Sequence, residues 1–65
     1  MDIKIYEART KRKLTLQDLA MLSGVSKSTL NRIENGITSP NMAQMEAIAK
    51  AMNAHITELF ESDFK

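Results

Sequence analysis

The sequence has 65 residues, 43% of them hydrophobic and 26% charged, with no cysteine and a formal net charge of +1. A chain this short buries roughly 60% of its unfolded surface, so it makes one domain over residues 1–65, with a thin core that leans on capped helices or dimerisation. The absence of cysteine excludes disulfide staples and thiolate metal sites, and with no apolar run near the ~20 residues of a bilayer span and no signal-peptide core in residues 1–13, a cytoplasmic protein is expected. The small net charge hides a gradient. Lys4, Arg9, Lys11, Arg12 and Lys13 outnumber Asp2 and Glu7 in residues 1–13, residues 14–39 balance, and residues 40–65 are acidic. A basic front and an acidic rear are expected.

A first helix is predicted from about Asp2 to Lys13, with Met1, Ile5 and Ala8 at i, i+4 and i+7 and Arg9 beside Ala8. Ile3 falls off that stripe, to be exposed or covered by a partner. If the backbone turns left-handed near Lys13, a lysine there costs on the order of 1 kcal/mol. A second helix runs from Leu16 to about Ser23, with Thr15 as cap and Asp18 three residues on to complete a capping box. Its inner face carries Leu16, Leu19 and Ala20; of Met21 and Leu22, one is expected to face the first or fourth helix.

Ser23-Gly24-Val25 leaves room only for a tight turn, and Gly24 is the residue that takes positive φ without a Cβ clash. The third helix starts with Ser26 as cap, turns Leu30 and Ile33 inward, and ends at Asn35-Gly36, with Gly36 at the C′ position. Ile37 to Pro40 is a loop. Asn41 caps a fourth helix with Gln44 at its capping-box position, and Met42, Met45, Ile48, Ala49 and Met52 form its apolar stripe, read as adaptable core filler. After a connector at Asn53-Ala54-His55, a short fifth helix is predicted, capped by Thr57, with Leu59 and Phe60 inward. The last residues, Ser62 to Lys65, are expected to fray, with Phe64 apolar enough to dock. No repeat and no convincing strand is present, so the class is all-α.

Residues 16–36 therefore read as a helix-turn-helix, a unit that sets its second helix into a DNA major groove. Nothing signals an enzyme: His55 is the only histidine, no phosphate-cradling glycine loop exists, and no metal site, cofactor or small-molecule ligand is evident.

The chain resembles the Cro/repressor-type helix-turn-helix family, often called Xre-like. The match covers residues 1–62 and rests on Arg9, Leu19-Ala20, Gly24-Val25-Ser26, Leu30, Ile33-Glu34-Asn35-Gly36, Pro40 and Ile48 to Met52. The resemblance implies a compact five-helix lambda-repressor-like domain of prokaryotic or phage type, acting at the nucleoid as a sequence-specific regulator, most often a repressor. It implies double-stranded DNA as partner and a homodimer, expected through the fifth helix and the end of the fourth at Ile56, Leu59 and Phe60. It makes the third helix, about 26–35, the recognition helix. Lys27, Ser28 and Arg32 match base-reading positions, with Asn31 a fourth that could pair with adenine. Thr29, Asn35, Thr38 and Asn41 match phosphate-touching positions, with Ser26 and Gln17 as further candidates. Arg9 and Glu34 match a structural ion pair.

One residue departs from the family pattern. Many relatives place glutamine where Leu16 stands, and Gln17 beside it is rotated by ~100°. Two alternatives stay open: an antitoxin- or immunity-type regulator with a protein partner, for which Ile3, Met21 and Phe64 leave room, and a helical protein-interaction module without DNA binding.

Overall fold

The computed structural model describes residues 2–61, with side chains for 3–60. Met1, Phe64 and the fraying expected at the last residues lie outside that range. In chain order the elements are strand β1 (Asp2–Ile3), helices α1 (Ile5–Lys11), α2 (Leu16–Ser23), α3 (Lys27–Glu34) and α4 (Met42–Ala51), a 3-10 turn (Ile56–Leu59) and strand β2 (Phe60–Glu61). The fold is helical, with four α-helices plus the 3-10 turn in place of the five helices expected.

Start and stop chemistry accounts for most boundaries. Thr15 and Asp18 form a reciprocal capping box on α2, Asn41 and Gln44 do the same on α4, and the Ser26 hydroxyl caps α3. Three helices end in the same way, with the next residue but one in the left-handed region: Lys13 (φ 59°) after α1, Gly36 (φ 74°) after α3 and Asn53 (φ 53°) after α4. Each has the paired backbone bonds of a Schellman motif, as in Gly36 N–H to Ile33 C=O and Ile37 N–H to Arg32 C=O. Lys13 sits where the expected strain falls.

The two ends of the described chain depart from the helical pattern. Residues 2–3 are extended rather than helical and pair antiparallel with residues 60–61, Ile3 opposite Phe60. The Lys4 N–H bonds the Leu59 carbonyl at 2.6 Å, which extends the ladder by one bond. Helix α1 starts only at Ile5, since residues 2–3 and the Lys4 N–H are committed to the ladder, and Lys4 supplies no side-chain cap. Ile3, off the helical stripe, is covered by pairing in a strand and packs against the core. The expected fifth helix is a single 3-10 turn, preceded by His55 and without a side-chain cap, so Thr57 is not its cap. Phe60 leaves the turn in an extended conformation and is half-buried.

The core is Ile5, Ala8, Leu19, Leu30, Ile33, Met45, Ile48, Ala49, Met52 and Leu59, with no buried polar side chain among the described residues. Helix α2 is its hub, packing on both α3 and α4, while the 3-10 turn packs on α1 and α4. The inward contact expected of one of Met21 and Leu22 is not made. Met21 (77%) and Leu22 (60%) both point outward, since at 100° per residue they lie away from the arc of Leu16, Leu19 and Ala20. Met42 (64%) begins the α4 stripe, one turn before Met45 reaches the core.

Candidate nucleic-acid interface

The turn between α2 and α3 fixes how α3 is presented. Gly24 adopts φ +78° and its N–H bonds the Ala20 carbonyl at 2.9 Å. A Cβ there would meet nothing within 4 Å, so the dihedral rather than space selects glycine. Val25 N–H bonds the Ser23 hydroxyl, and the chain re-enters a helix at the Ser26 cap. Leu30 and Ile33 lock one face of α3 into the core. The opposite arc carries Lys27, Ser28, Asn31, Arg32 and Asn35, all exposed. Among the described residues neither Lys27 nor Arg32 is drawn into an ion pair.

The base-reading candidates thus share one open face, while the candidates for phosphate contact are more divided. Ser26 donates its one hydroxyl hydrogen to Thr29 Oγ1 (2.8 Å) and accepts from the Thr29 N–H, which leaves the half-buried Thr29 hydroxyl as the outward donor. Asn41 accepts the Gln44 N–H through Oδ1 at 2.7 Å, leaving its NH2 uncommitted. Thr38 and Gln17 are exposed. Leu16 is half-buried and packs against the core, so the first position of α2 is a packing position here. Asn35 donates from Nδ2 to both the carbonyl and Oδ1 of Asn31, at 2.9 and 3.0 Å. Its amide hydrogens are committed within the helix.

Two arginines near the end of α1 are engaged within the protein, and the first braces this surface from behind. Arg9 donates from Nε to Glu34 Oε2 (2.9 Å) and from Nη2 to Oε1 (3.1 Å), a fork that ties α1 to the end of α3. Its Nη1 holds the Leu14 carbonyl at 2.9 Å, and the guanidinium lies 5.1 Å from the Tyr6 ring centre. Hydrogen bonding to Glu34 raises the Arg9 pKa against the opposing effect of burial. Arg12, counted in the basic front, is tied down at the surface by partners within the protein. It donates to the Met52 and Ala8 carbonyls, each at 2.9 Å, and forks onto Glu58 at 2.8 and 3.1 Å. That fork holds the Glu58 carboxyl below its ordinary pKa. The Ala8 carbonyl is one turn back, but no local pattern signals the partners that hold it across the fold, Met52 and Glu58, which lie 40 and 46 residues away.

A sequence model of the helix-turn-helix family matches residues 5–59. The HTH-type transcriptional regulator SlrR of Bacillus subtilis is 34% identical over 62 residues, covering 94% of this chain and 40% of SlrR. An HTH-type transcriptional regulator of Archaeoglobus fulgidus is 35% identical over 63 residues, covering 97% of this chain and 90% of that protein. Among solved structures, the restriction-modification controller protein C.AhdI from Aeromonas hydrophila superposes with a TM-score of 0.82 at 30% identity, over 86% of this chain and 85% of that one. This chain therefore spans less than half of SlrR but most of the archaeal protein and of the controller protein.

Proposed function

The chain belongs to the Xre-like helix-turn-helix family, and from that premise we infer that it is a transcription regulator that binds double-stranded DNA through α3 in the major groove. The observation that carries this reading is the division of α3 into a face fixed by Leu30, Ile33 and the Arg9–Glu34 fork and an open face bearing Lys27, Ser28, Asn31 and Arg32. A recognition helix needs this combination, because a reader that rocked on its own core would blur the base contacts. Arg32 is the strongest reader, since a guanidinium can bond guanine O6 and N7 together, worth roughly 1–3 kcal/mol of discrimination. Lys27 joins it from one turn earlier. Phosphates are held by the Thr29 hydroxyl, the Asn41 amide, Thr38 and Gln17, with Gln17 serving where Leu16 cannot; the Ser26 hydroxyl hydrogen is given to Thr29, which takes Ser26 out of that set.

The reading favours repression, by occupation of a promoter. The protein acts as a pair of copies, each on one half-site. It is a binding protein, and no step of its action calls for a catalyst.

Affinity for random duplex DNA measured against salt tests the reading. Each neutralised phosphate contributes a log–log slope of about −0.9, so a flat response overturns groove docking. Arg32→Ala should weaken a selected site by about tenfold or more while changing random DNA little. Equal losses on both would reassign Arg32 to a phosphate.

A further inference from the structure

Two amides on the open face of α3 are coupled, and the coupling decides what one of them can read. Asn35 Nδ2 bonds the backbone carbonyl of Asn31 at 2.9 Å. A carbonyl only accepts, so this bond alone identifies the end of the Asn35 amide that faces Asn31 as the nitrogen. The second hydrogen of that nitrogen meets Asn31 Oδ1 at 3.0 Å. Asn31 must accept there, and its orientation follows: Oδ1 turns along the helix toward Asn35, and Nδ2 is the end left unbonded on an exposed side chain. Its neighbours on the same arc, Lys27 and Arg32, have no acceptor atoms at all.

We propose that Asn35 is a positioning residue that fixes the Asn31 amide with its nitrogen outward, so that α3 presents a row of hydrogen-bond donors and Asn31 selects an acceptor edge, guanine or thymine, over adenine. The proposal rests on the DNA-binding reading above and deepens it. A bidentate pair with adenine asks the asparagine oxygen to face the N6 amino group beside a nitrogen on N7. In this helix that oxygen is turned to Asn35 instead. Guanine offers two acceptors, N7 and O6, and thymine offers O4, whereas adenine offers only N7 beside an N6 amino donor that opposes the outward nitrogen. Asn35 thereby sets specificity without touching a base, and it leaves the set of phosphate-binding residues because it has no amide hydrogen to give.

The test is selection of bound duplexes from a random pool by the full chain and by the Asn31→Ala, Asn35→Ala and Asn35→Asp variants, each first checked for helix content and melting temperature. Asn31→Ala should flatten the preference at one base pair per half-site, which marks the position. There the unaltered protein should prefer guanine or thymine over adenine by about tenfold. Asn35→Ala should let the amide turn and raise adenine at that position alone, with random-DNA affinity unchanged. Asn35→Asp can only accept from Asn31, so it should turn the oxygen outward and shift the preference to adenine or cytosine, a switch that a purely structural role of Asn35 would not produce. Adenine preferred by the unaltered protein, no position answering to Asn31→Ala, or an unchanged profile in both Asn35 variants would each overturn the proposal while leaving DNA binding intact. Failure of the unaltered chain to retain any duplex in a salt-dependent way would overturn the underlying reading as well.

Discussion

At the scale of single residues, the backbone signs are the easiest to test. Lys13 holds φ 59° where the other left-handed helix ends use glycine or asparagine. A side chain in that region costs about 1 kcal/mol relative to glycine, so Lys13→Gly should raise the melting temperature by several degrees in a 65-residue domain. Gly24→Ala should lower it by a similar amount, although a Cβ there has open space. Arg9 and Glu34 make a second residue-scale case. Their side chains are only 11% and 8% exposed, so truncating one strands the other's charge. Glu34→Ala should cost about 3 kcal/mol, measured by urea denaturation. Both partners were legible in the sequence, but only through family resemblance, because nothing local ties residues 25 apart. Arg12 had no such guide. Its charge read as part of a basic front, whereas the fold commits it to a surface ion pair with Glu58 and to two carbonyls.

At the scale of elements, legibility followed the range of the interaction that sets each boundary. The caps of α2, α3 and α4 and the glycine turns depend on residues within four positions, and the pattern located them. The first and last elements depend on each other across nearly the whole chain, through the Ile3–Phe60 ladder, and local periodicity assigned both to helix. The caps also predict how stability answers to pH. Hydrogen bonds from the Thr15 backbone and hydroxyl hold the Asp18 carboxyl below its ordinary 3.8, and the Arg12 fork holds Glu58 below 4.5. A carboxyl whose pKa is lower folded than unfolded stabilises the fold above the unfolded value, and that contribution fades as pH falls through the folded one. The melting temperature should therefore be level near neutrality and fall below about pH 4.5. The Asp18→Asn, Glu58→Gln double variant should melt lower at pH 7 and show a shallower acid decline. Equal declines in both proteins would mean that other carboxylates carry the effect. The raised arginine pKa values add nothing here, because both groups stay charged across this range.

At the scale of the whole molecule, size constrains how the protein can occupy DNA. Its longest dimension is 34 Å, about one turn of B-DNA, so in the proposed pair one copy would cover one half-site and the second would sit one turn along. The surface expected for the second copy needs revision at one position. Leu59 is completely buried and belongs to the core. Ile56 and Phe60 remain half-buried beside it and line a recess of about 130 Å³ with Ile3, Pro40, Met42 and Met45. Met42, exposed at its rim, is the residue whose change can test association without touching the core. A standard interface covers about 800 Å² per partner, a large share of the 4545 Å² of this surface. A smaller and weaker contact is therefore expected, one that DNA strengthens by holding two copies side by side. Sedimentation should show self-association at high micromolar concentration or on a two-half-site duplex. Met42→Glu should abolish it, leaving the melting temperature unchanged. A monomer under both conditions, or a dimer indifferent to Met42→Glu, would remove this face as the dimer surface.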